Sequence, residues 1–240
     1  MPIQQRRAFL AAMAATFFTT KGLYAEHLLP SPWMTEGPFY PDKLPLDQDN
    51  DLLIINDNIT PAVGEVTNLS GRVLNLDGKP VKNATVEIWQ CDANQVYLHT
   101  SDSRSKASQL DKNFQGFGAF ETGTDGGYRF RTIKPVAYPG RPAPHIHYKV
   151  KQNGREVLTS QLFIRGFENN QVDHVYLGND LLNRELVSGV FEKVPDTAVP
   201  QWRCQFDIVL GKTPDERDSG QRNRRGPGGP QGGSVGRRRD

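Results

Sequence analysis

The segment HIHYKVKQNGREVLTSQLFI, residues 145–164, predicts two antiparallel strands joined by a tight turn. Asn153-Gly154 is a strong short hairpin signal, because both residue types tolerate the positive φ angles that a two-residue turn needs. Successive side chains on a strand point to opposite faces. His145 and His147 therefore share one face, whereas Ile146, Tyr148 and Val150 form an apolar face that predicts a core.

Other short segments carry similar strand signals, separated by Gly, Pro, Asn and Asp turns. Residues 66–90, VTNLSGRVLNLDGKPVKNATVEIWQ, are interpreted as two β-rich runs joined in a hairpin-like way at Asp77-Gly78. Helical periodicity is almost absent from the middle of the chain. In two further segments the side chains alternate between faces. One face of the first carries Tyr128, Phe130 and Thr132, and one face of the second carries Trp202, Cys204, Phe206 and Ile208. This pattern predicts an all-β fold, an antiparallel-rich β-sandwich with long functional loops, the longest being residues 98–121.

The two ends differ from the middle of the chain. Residues 1–25 carry Arg6-Arg7 before a short apolar run and small residues, which is typical of a twin-arginine-like export signal. The apolar run is too short for a stable membrane anchor, since a spanning helix needs about 20 residues. We therefore expect four segments: the signal peptide at 1–25, an N-terminal extension at 26–65, the β-sandwich domain at 66–210, and a disordered Arg/Gly-rich tail at 211–240. The folded protein is expected in the periplasm or outside the cell.

The positive charge lies at the ends. The net charge is +2, of which residues 1–25 contribute +3 and residues 211–240 contribute +4, so the span between them carries −5. This distribution argues against nucleic-acid binding by the folded domain. The tail itself is interpreted as solvated polar chain, with RNA binding as the alternative.

The histidine pair is a candidate metal site. His-x-His on a strand places two imidazoles where they can close on one ion, although histidines at this spacing also occur on ordinary surfaces. Residues 138–150 hold no carboxylate that could complete a site with two histidines and one carboxylate, but they hold Tyr138. Tyrosine binds metal as a phenolate, which favours a hard trivalent cation able to lower its pKa. The only two cysteines, Cys91 and Cys204, could pair in an oxidising compartment, and the sequence leaves this open.

Five motifs, in order along residues 35–210, resemble the intradiol ring-cleavage dioxygenases, the family of catechol and protocatechuate dioxygenases. They are TEGPFYP, GKPVKNATVEIWQCDANQVY, NFQGFG, TDGGYRFRTIKPVAYPGRPAPHIHYKV and LTSQLF. The resemblance implies one mononuclear non-haem Fe(III) held by Tyr97, Tyr138, His145 and His147. It also implies O₂-dependent cleavage of a catecholic ring between its hydroxylated carbons to a muconate-type diacid. Tyr138 is then expected to leave the metal when substrate binds, and Arg141 and Gln161 match residues placed over the substrate ring.

The chain also departs from the family's pattern. Gly140 stands where the protocatechuate branch usually carries Trp, which suggests a more open site, and the helical dimerisation domain of the catechol branch is absent from the sequence. Neither substrate preference therefore transfers, and a homo-oligomer is left possible. The alternative reading is a metal-free, transthyretin-like extracellular binding module, which GRVLNLDGKPVKNATVEIW alone would suit.

Overall fold

The computed structural model describes residues 27–55 and 60–211, within which strands dominate. The expected signal segment lies outside these residues, and so does the charged tail apart from Gly211. The strands are β1 (Val66–Asn75), β2 (Ala84–Trp89), β3 (Phe117–Glu121), β4 (Gly127–Ile133), β5 (His145–Gln152), β6 (Arg155–Ile164), β7 (Ser188–Gly189), β8 (Phe191–Val194), β9 (Gln201–Gln205) and β10 (Ile208–Leu210). The helices are α1 (Thr100–Ser103), a 3₁₀ helix (Glu168–Val172), α2 (His174–Leu177) and α3 (Leu181–Leu186).

The strands form two five-stranded sheets. One has the order β10-β1-β9-β8, with β4 also paired to β1, and the other has the order β3-β2-β5-β6-β7. Most strand pairs are antiparallel, whereas β1 is parallel to β9 and β10, and β6 to β7. Apolar side chains of both sheets share one buried cluster that includes Leu69, Phe130, Ile146 and Ile208. The expected antiparallel-rich β-sandwich is therefore confirmed.

The hairpin at Asn153-Gly154 is confirmed. β5 and β6 pair in antiparallel register, with His147 opposite Gln161. Both turn residues have the positive φ angles of a two-residue hairpin turn, 51° and 74°. The expected core face of β5 is buried against the other sheet.

The hairpin expected around Asp77-Gly78 forms only over a few residues and does not join β1 to β2. β1 and β2 do not pair: β1 joins β4, β9 and β10, whereas β2 joins β3 and β5 in the other sheet. A tight turn does form at the expected place, closed by hydrogen bonds from the backbone N–H of Gly78 to Asn75 O and of Asn75 to Lys79 O. After the turn, residues 79–81 fold back on β1 through the antiparallel bridge of Leu74 with Pro80 and a hydrogen bond from the N–H of Val81 to Val73 O. The chain then crosses to the second sheet and forms β2 there.

The expectation of a long loop at residues 98–121 is partly wrong. It contains α1, and its last residues form β3, which pairs with β2 from Trp89↔Phe117 to Thr85↔Glu121. Phe117 is fully buried, so this strand edge is stabilised by packing that the alternation pattern alone did not indicate.

Both cysteines are free and buried. Cys91 packs beside Trp89 and Tyr97, whereas Cys204 lies in the main core cluster, so the two do not form a disulfide in this structure. No helix within residues 27–55 and 60–211 has the length and apolar character needed to cross a membrane.

Candidate active site

The turn before β5 carries two of the candidate residues. Tyr138 and Arg141 exchange backbone hydrogen bonds of 2.9 and 3.2 Å, which closes a two-residue turn over Pro139-Gly140. Proline presets the first turn position and glycine supplies the positive φ of the second, here 89°, as in a type II turn. A Cβ added to Gly140 would meet no atom within 4 Å, which agrees with the expected open character of this place.

His145 and His147 are buried on the same face of β5, with ring centroids 4.8 Å apart. Nδ1 of His145 donates to the carbonyl oxygen of Ala143 at 2.7 Å, because a carbonyl can only accept. Nε2 of His145 therefore bears the free lone pair of the neutral ring, and it is buried without a hydrogen-bond partner. His147 stacks on Trp89 at 4.9 Å, and its Nδ1 is also buried without a partner.

Both imidazoles favour the neutral form. Burial, with a contribution from the positive charge of Arg141, lowers the pKa of His145 to about 3. Burial also lowers the pKa of His147 well below its usual value, with His145 and Arg141 adding to the effect. A neutral imidazole is the form that binds a metal ion.

Tyr97 is held deep in the structure after β2. Its backbone N–H donates to Asp102 Oδ2 at 2.8 Å, and its ring stacks on Phe39 with centroids 4.8 Å apart. The side chain is 1% exposed, and its hydroxyl is buried without a hydrogen-bond partner. Burial raises the pKa of Tyr97 well above 10, so this hydroxyl would ionise only beside a strong positive charge.

The four rings are neighbours of one another in a closed sequence. Neighbouring ring centroids lie 4.8 Å apart for His145 and His147, 6.0 Å for His147 and Tyr97, 5.3 Å for Tyr97 and Tyr138, and 5.6 Å for Tyr138 and His145. Tyr138 is half-buried; burial raises its pKa, and the charge of Arg141 opposes this rise. No cluster of three or more His, Cys, Asp or Glu that could hold a metal occurs among the described residues. Beside the two histidines, the hydroxyl groups of Tyr97 and Tyr138 are the adjoining groups that could complete a metal site.

This donor set fits a bound metal ion. A buried polar atom without a partner costs about 1–3 kcal/mol, so native proteins rarely leave several together. Here the unpartnered atoms are Tyr97 Oη, His145 Nε2 and His147 Nδ1, on three of the four adjoining rings. A cation that accepts two nitrogen and two phenolate ligands would compensate for this cost.

Arg141 and Gln161 lie beside the four rings and contact each other. Arg141 Nη2 donates to Gln161 Oε1 at 2.8 Å, and Gln161 Nε2 donates to Thr35 O at 2.8 Å. Arg141 Nε donates to Asp173 Oδ2 at 2.9 Å. Burial opposes ionisation of Asp173, but hydrogen bonds from Arg141 and from backbone N–H groups outweigh it and lower its pKa. The structure thus brings all six sequence-predicted residues into one region.

Residues 34–40, here called the strap, precede the first strand and pack against the rings of the site. Glu36 forms an ion pair with Lys149, which lies on the same face of β5 as the histidines. Gly37 lies against His147, such that a Cβ on Gly37 would be 3.3 Å from His147 Cε1. Phe39 contacts Tyr97, as described, and its ring lies 6.2 Å from that of Tyr138.

Sequence reasoning did not identify Asp173, Trp89 or Phe39 as part of the site. Asp173 lies before α2 and accepts from the N–H groups of Val175 and Tyr176, so an Asp at a helix start was the only local signal. Such a signal locates a helix cap but does not indicate contact with Arg141. All strap residues except Met34 belong to TEGPFYP, whose members were assigned no individual roles.

Three comparisons place the chain among known proteins. Residues 35–212 match the family model described as Dioxygenase. The chain is 35% identical to the protocatechuate 3,4-dioxygenase beta chain of Burkholderia cepacia, covering 65% of this chain and 69% of the relative. It is 33% identical to the 6-chlorohydroxyquinol 1,2-dioxygenase of Cupriavidus pinatubonensis, covering 63% of this chain but only 56% of the relative.

A solved structure resembles the fold over nearly its whole length. It is the dioxygenase domain of a dioxygenase carbohydrate-binding protein fusion from Streptomyces sp. SirexAA-E, which is 28% identical with a TM-score of 0.57. The match covers 76% of this chain and 99% of that domain.

Proposed function

Since the chain belongs to the intradiol ring-cleavage dioxygenase family, we propose that it uses O₂ to cleave catecholic rings between their two hydroxylated carbons, giving muconate-type diacids. In this proposal Tyr97, Tyr138, His145 and His147 hold one mononuclear non-haem Fe(III). The substrate is a small catecholic molecule, a class to which the names of both relatives point.

The observation that carries the proposal is the convergence of four ligand-type rings that leave buried polar atoms without partners. Phenolate oxygen suits a hard trivalent cation, and imidazole nitrogen suits iron among the first-row metals. When bound, Fe(III) would supply a Lewis acid that keeps the tyrosines ionised and draws charge from a chelating catechol.

The two tyrosines have different surroundings, which supports different roles. Tyr97 is fully buried, stacked on Phe39 and held through its backbone by Asp102, so it is the fixed ligand. Tyr138 is half-buried on a two-residue turn beside open space at Gly140. Its ring can swing away, and its Oη can accept the first proton of the substrate diol.

Arg141 and Gln161 act on the substrate rather than on the metal. Arg141 carries a fixed positive charge in a buried place, and Gln161 adds an amide whose oxygen is taken by Arg141. Together they orient the bound ring and stabilise negative charge that develops on it during cleavage. Because these donors are already held in place, little reorganisation is needed during the reaction.

Oxygen uptake tests the proposal directly. Purified protein loaded with iron is offered catechol, protocatechuate and hydroxyquinol, and ring opening is followed by the ultraviolet absorbance of the diacid. We expect a coloured protein, because phenolate-to-Fe(III) charge transfer absorbs visible light, and uptake with at least one diol. A colourless protein that stays inactive after iron loading would contradict the proposal and favour the metal-free binding module.

A matched control separates the proposed ligands from buried tyrosines in general. Tyr176 is buried against Phe163 and its hydroxyl contacts Ser188, outside the four rings. Tyr176→Phe should keep the colour and the iron content, whereas Tyr97→Phe should change both. Equal spectra for the two variants would remove Tyr97 from the ligand set.

The proposed cellular location rests on the first 25 residues, which lie outside the described part of the chain. We propose export through the twin-arginine route, since Arg6-Arg7 precedes Phe9-Leu10 and a short apolar run. That route carries folded proteins, which suits an enzyme whose buried site receives its metal before export.

A further inference from the structure

Asp173 accepts hydrogen bonds with both carboxylate oxygens, and these bonds join two parts of the site. Oδ1 accepts from the N–H groups of Val175 and Tyr176, each at 3.0 Å, and so caps α2. Oδ2 accepts from Arg141 Nε at 2.9 Å and from the N–H of Ala143 at 3.3 Å. The residue is completely buried, so these bonds replace the water that its charge would otherwise bind.

Arg141 is therefore held at two of its nitrogens. Asp173 fixes Nε and Gln161 fixes Nη2, which determines both the plane and the direction of the guanidinium group. Without Asp173, an arginine buried to this degree would lack a counter-ion on the Nε side. It would then turn toward solvent or toward another acceptor, because an unpaired buried charge is strongly unfavourable.

We propose that Asp173 is the positioning residue that aims Arg141 at the substrate, so that the pair, and not the arginine alone, supports ring cleavage. This inference rests on the proposed function. The hydrogen bonds of the Asp173 side chain go to Arg141, Ala143, Val175 and Tyr176 and to none of the four rings, so Asp173 acts through Arg141.

The competing explanation is that Asp173 only caps α2. Asp173→Asn separates the two roles, because the amide oxygen can still accept from the helix N–H groups while the NH₂ group faces Arg141 Nε, another donor. Asp180 provides a matched control: it caps α3 by accepting from the N–H of Asn183, and it is exposed, with its side-chain hydrogen bonds going to Asn183 and not to Arg141. Asp180→Asn changes the same chemistry at a cap of the same kind.

The experiment measures kcat, KM, iron content and the visible spectrum of iron-loaded full-length variants. For Asp173→Asn we expect kcat to fall about 10- to 100-fold, less than the ~10²–10³ typical of deleting a preorganised donor, because the guanidinium remains. KM should stay within about threefold, since a contact that strengthens in the transition state affects mainly kcat. Iron content and the resting spectrum should match wild type, and Asp180→Asn should match it throughout.

The mechanism is tested in a double variant. If Asp173 acts through Arg141, then adding Asp173→Asn to Arg141→Met should lower kcat little further. This double variant also covers the case in which Asp173→Asn alone does not fold, because removing both charges leaves no unpaired buried ion. A further tenfold loss in the double variant would overturn the inference, as would wild-type kcat in Asp173→Asn.

The wild-type enzyme keeps the two proposals distinguishable. If iron-loaded wild type consumes no O₂ with any catecholic substrate, the proposed function fails and the inference fails with it. If wild type is active and Asp173→Asn is equally active, only the inference is wrong.

Discussion

Gly37→Ala should disturb the candidate metal site from the strap. Gly37 has φ of 73°, and an added Cβ would lie 3.3 Å from His147 Cε1 and 4.0 Å from its Nε2. His147 cannot easily move, because its ring stacks on Trp89 at 4.9 Å with planes 11° apart. Gly154 supplies a matched control, with φ of 74° at the β5–β6 turn and no atom within 4 Å of an added Cβ.

The two variants share one cost and differ in another. Placing alanine at left-handed φ costs about 1–2 kcal/mol, from which the lower entropy of the unfolded chain returns about 0.4–1 kcal/mol. Both variants should therefore lose about 1 kcal/mol of unfolding free energy. Gly37→Ala should lose about 1 kcal/mol more through overpacking against His147. Its iron affinity should fall about tenfold, the lower end of the ~10–100-fold typical when the support of a metal ligand is altered.

Denaturant unfolding of both metal-free variants measures the loss of unfolding free energy. Competition with an iron chelator measures the iron affinity of each variant. The expected result is iron affinity that falls in Gly37→Ala and matches wild type in Gly154→Ala. If the two variants hold iron equally well, the strap does not constrain His147 and the reasoning is refuted. If Gly154→Ala also releases iron, the effect arises from general destabilisation.

Three further predictions concern the two tyrosines of the site, Asp42 and export. Tyr138→Phe should keep iron, lose part of the visible charge-transfer colour and form the substrate complex more slowly. Tyr97→Phe should change the visible spectrum both with and without anaerobic catechol. A full wild-type spectrum for Tyr138→Phe would exclude Tyr138 as a ligand. Hydrogen bonds from the first residue of α1 lower the pKa of Asp42 from 3.8 to about 2, so its stabilising contribution is present above about pH 4 and lost as pH falls toward 2. Asp42→Asn should therefore flatten the dependence of unfolding free energy on pH in that window, and an unchanged slope in acid denaturation would contradict this. Arg6→Lys with Arg7→Lys should leave the precursor inside the cell, as fractionation would show, whereas normal export would indicate the general secretory route.

The local pattern was sufficient for β5, β6 and the histidines. Alternation along a strand fixes which side chains share a face, and Asn153-Gly154 fixes the turn, so both follow from nearby residues alone. The structure confirms them, with His147 opposite Gln161. The pairing of Gln161 with the histidine strand is a consequence of this short hairpin, which explains why its place beside the site was predictable.

Long-range pairing was not predictable in the same way. The turn signal at Asp77-Gly78 indicates where the chain bends, but it does not indicate which strand the following segment joins. β1 pairs in parallel with β9 and β10, whose residues lie more than 125 positions later. These pairs form because the apolar faces of both sheets bury one another, an effect of the whole chain that a two-residue motif cannot encode.

The same distinction separates the proposed metal ligands from Asp173, the residue proposed to position Arg141. Iron ligands come from few residue types, so the five histidines and seven tyrosines of the chain left few candidates. A counter-ion for Arg141 could have been any of the 27 acidic residues. The fold selects one by returning the chain through the 3₁₀ helix after β6, which brings Asp173 to Arg141 across 32 positions. Because burial makes an unpaired guanidinium so unfavourable, the arginine is usable in this place only with that carboxylate, and the two residues function as one unit.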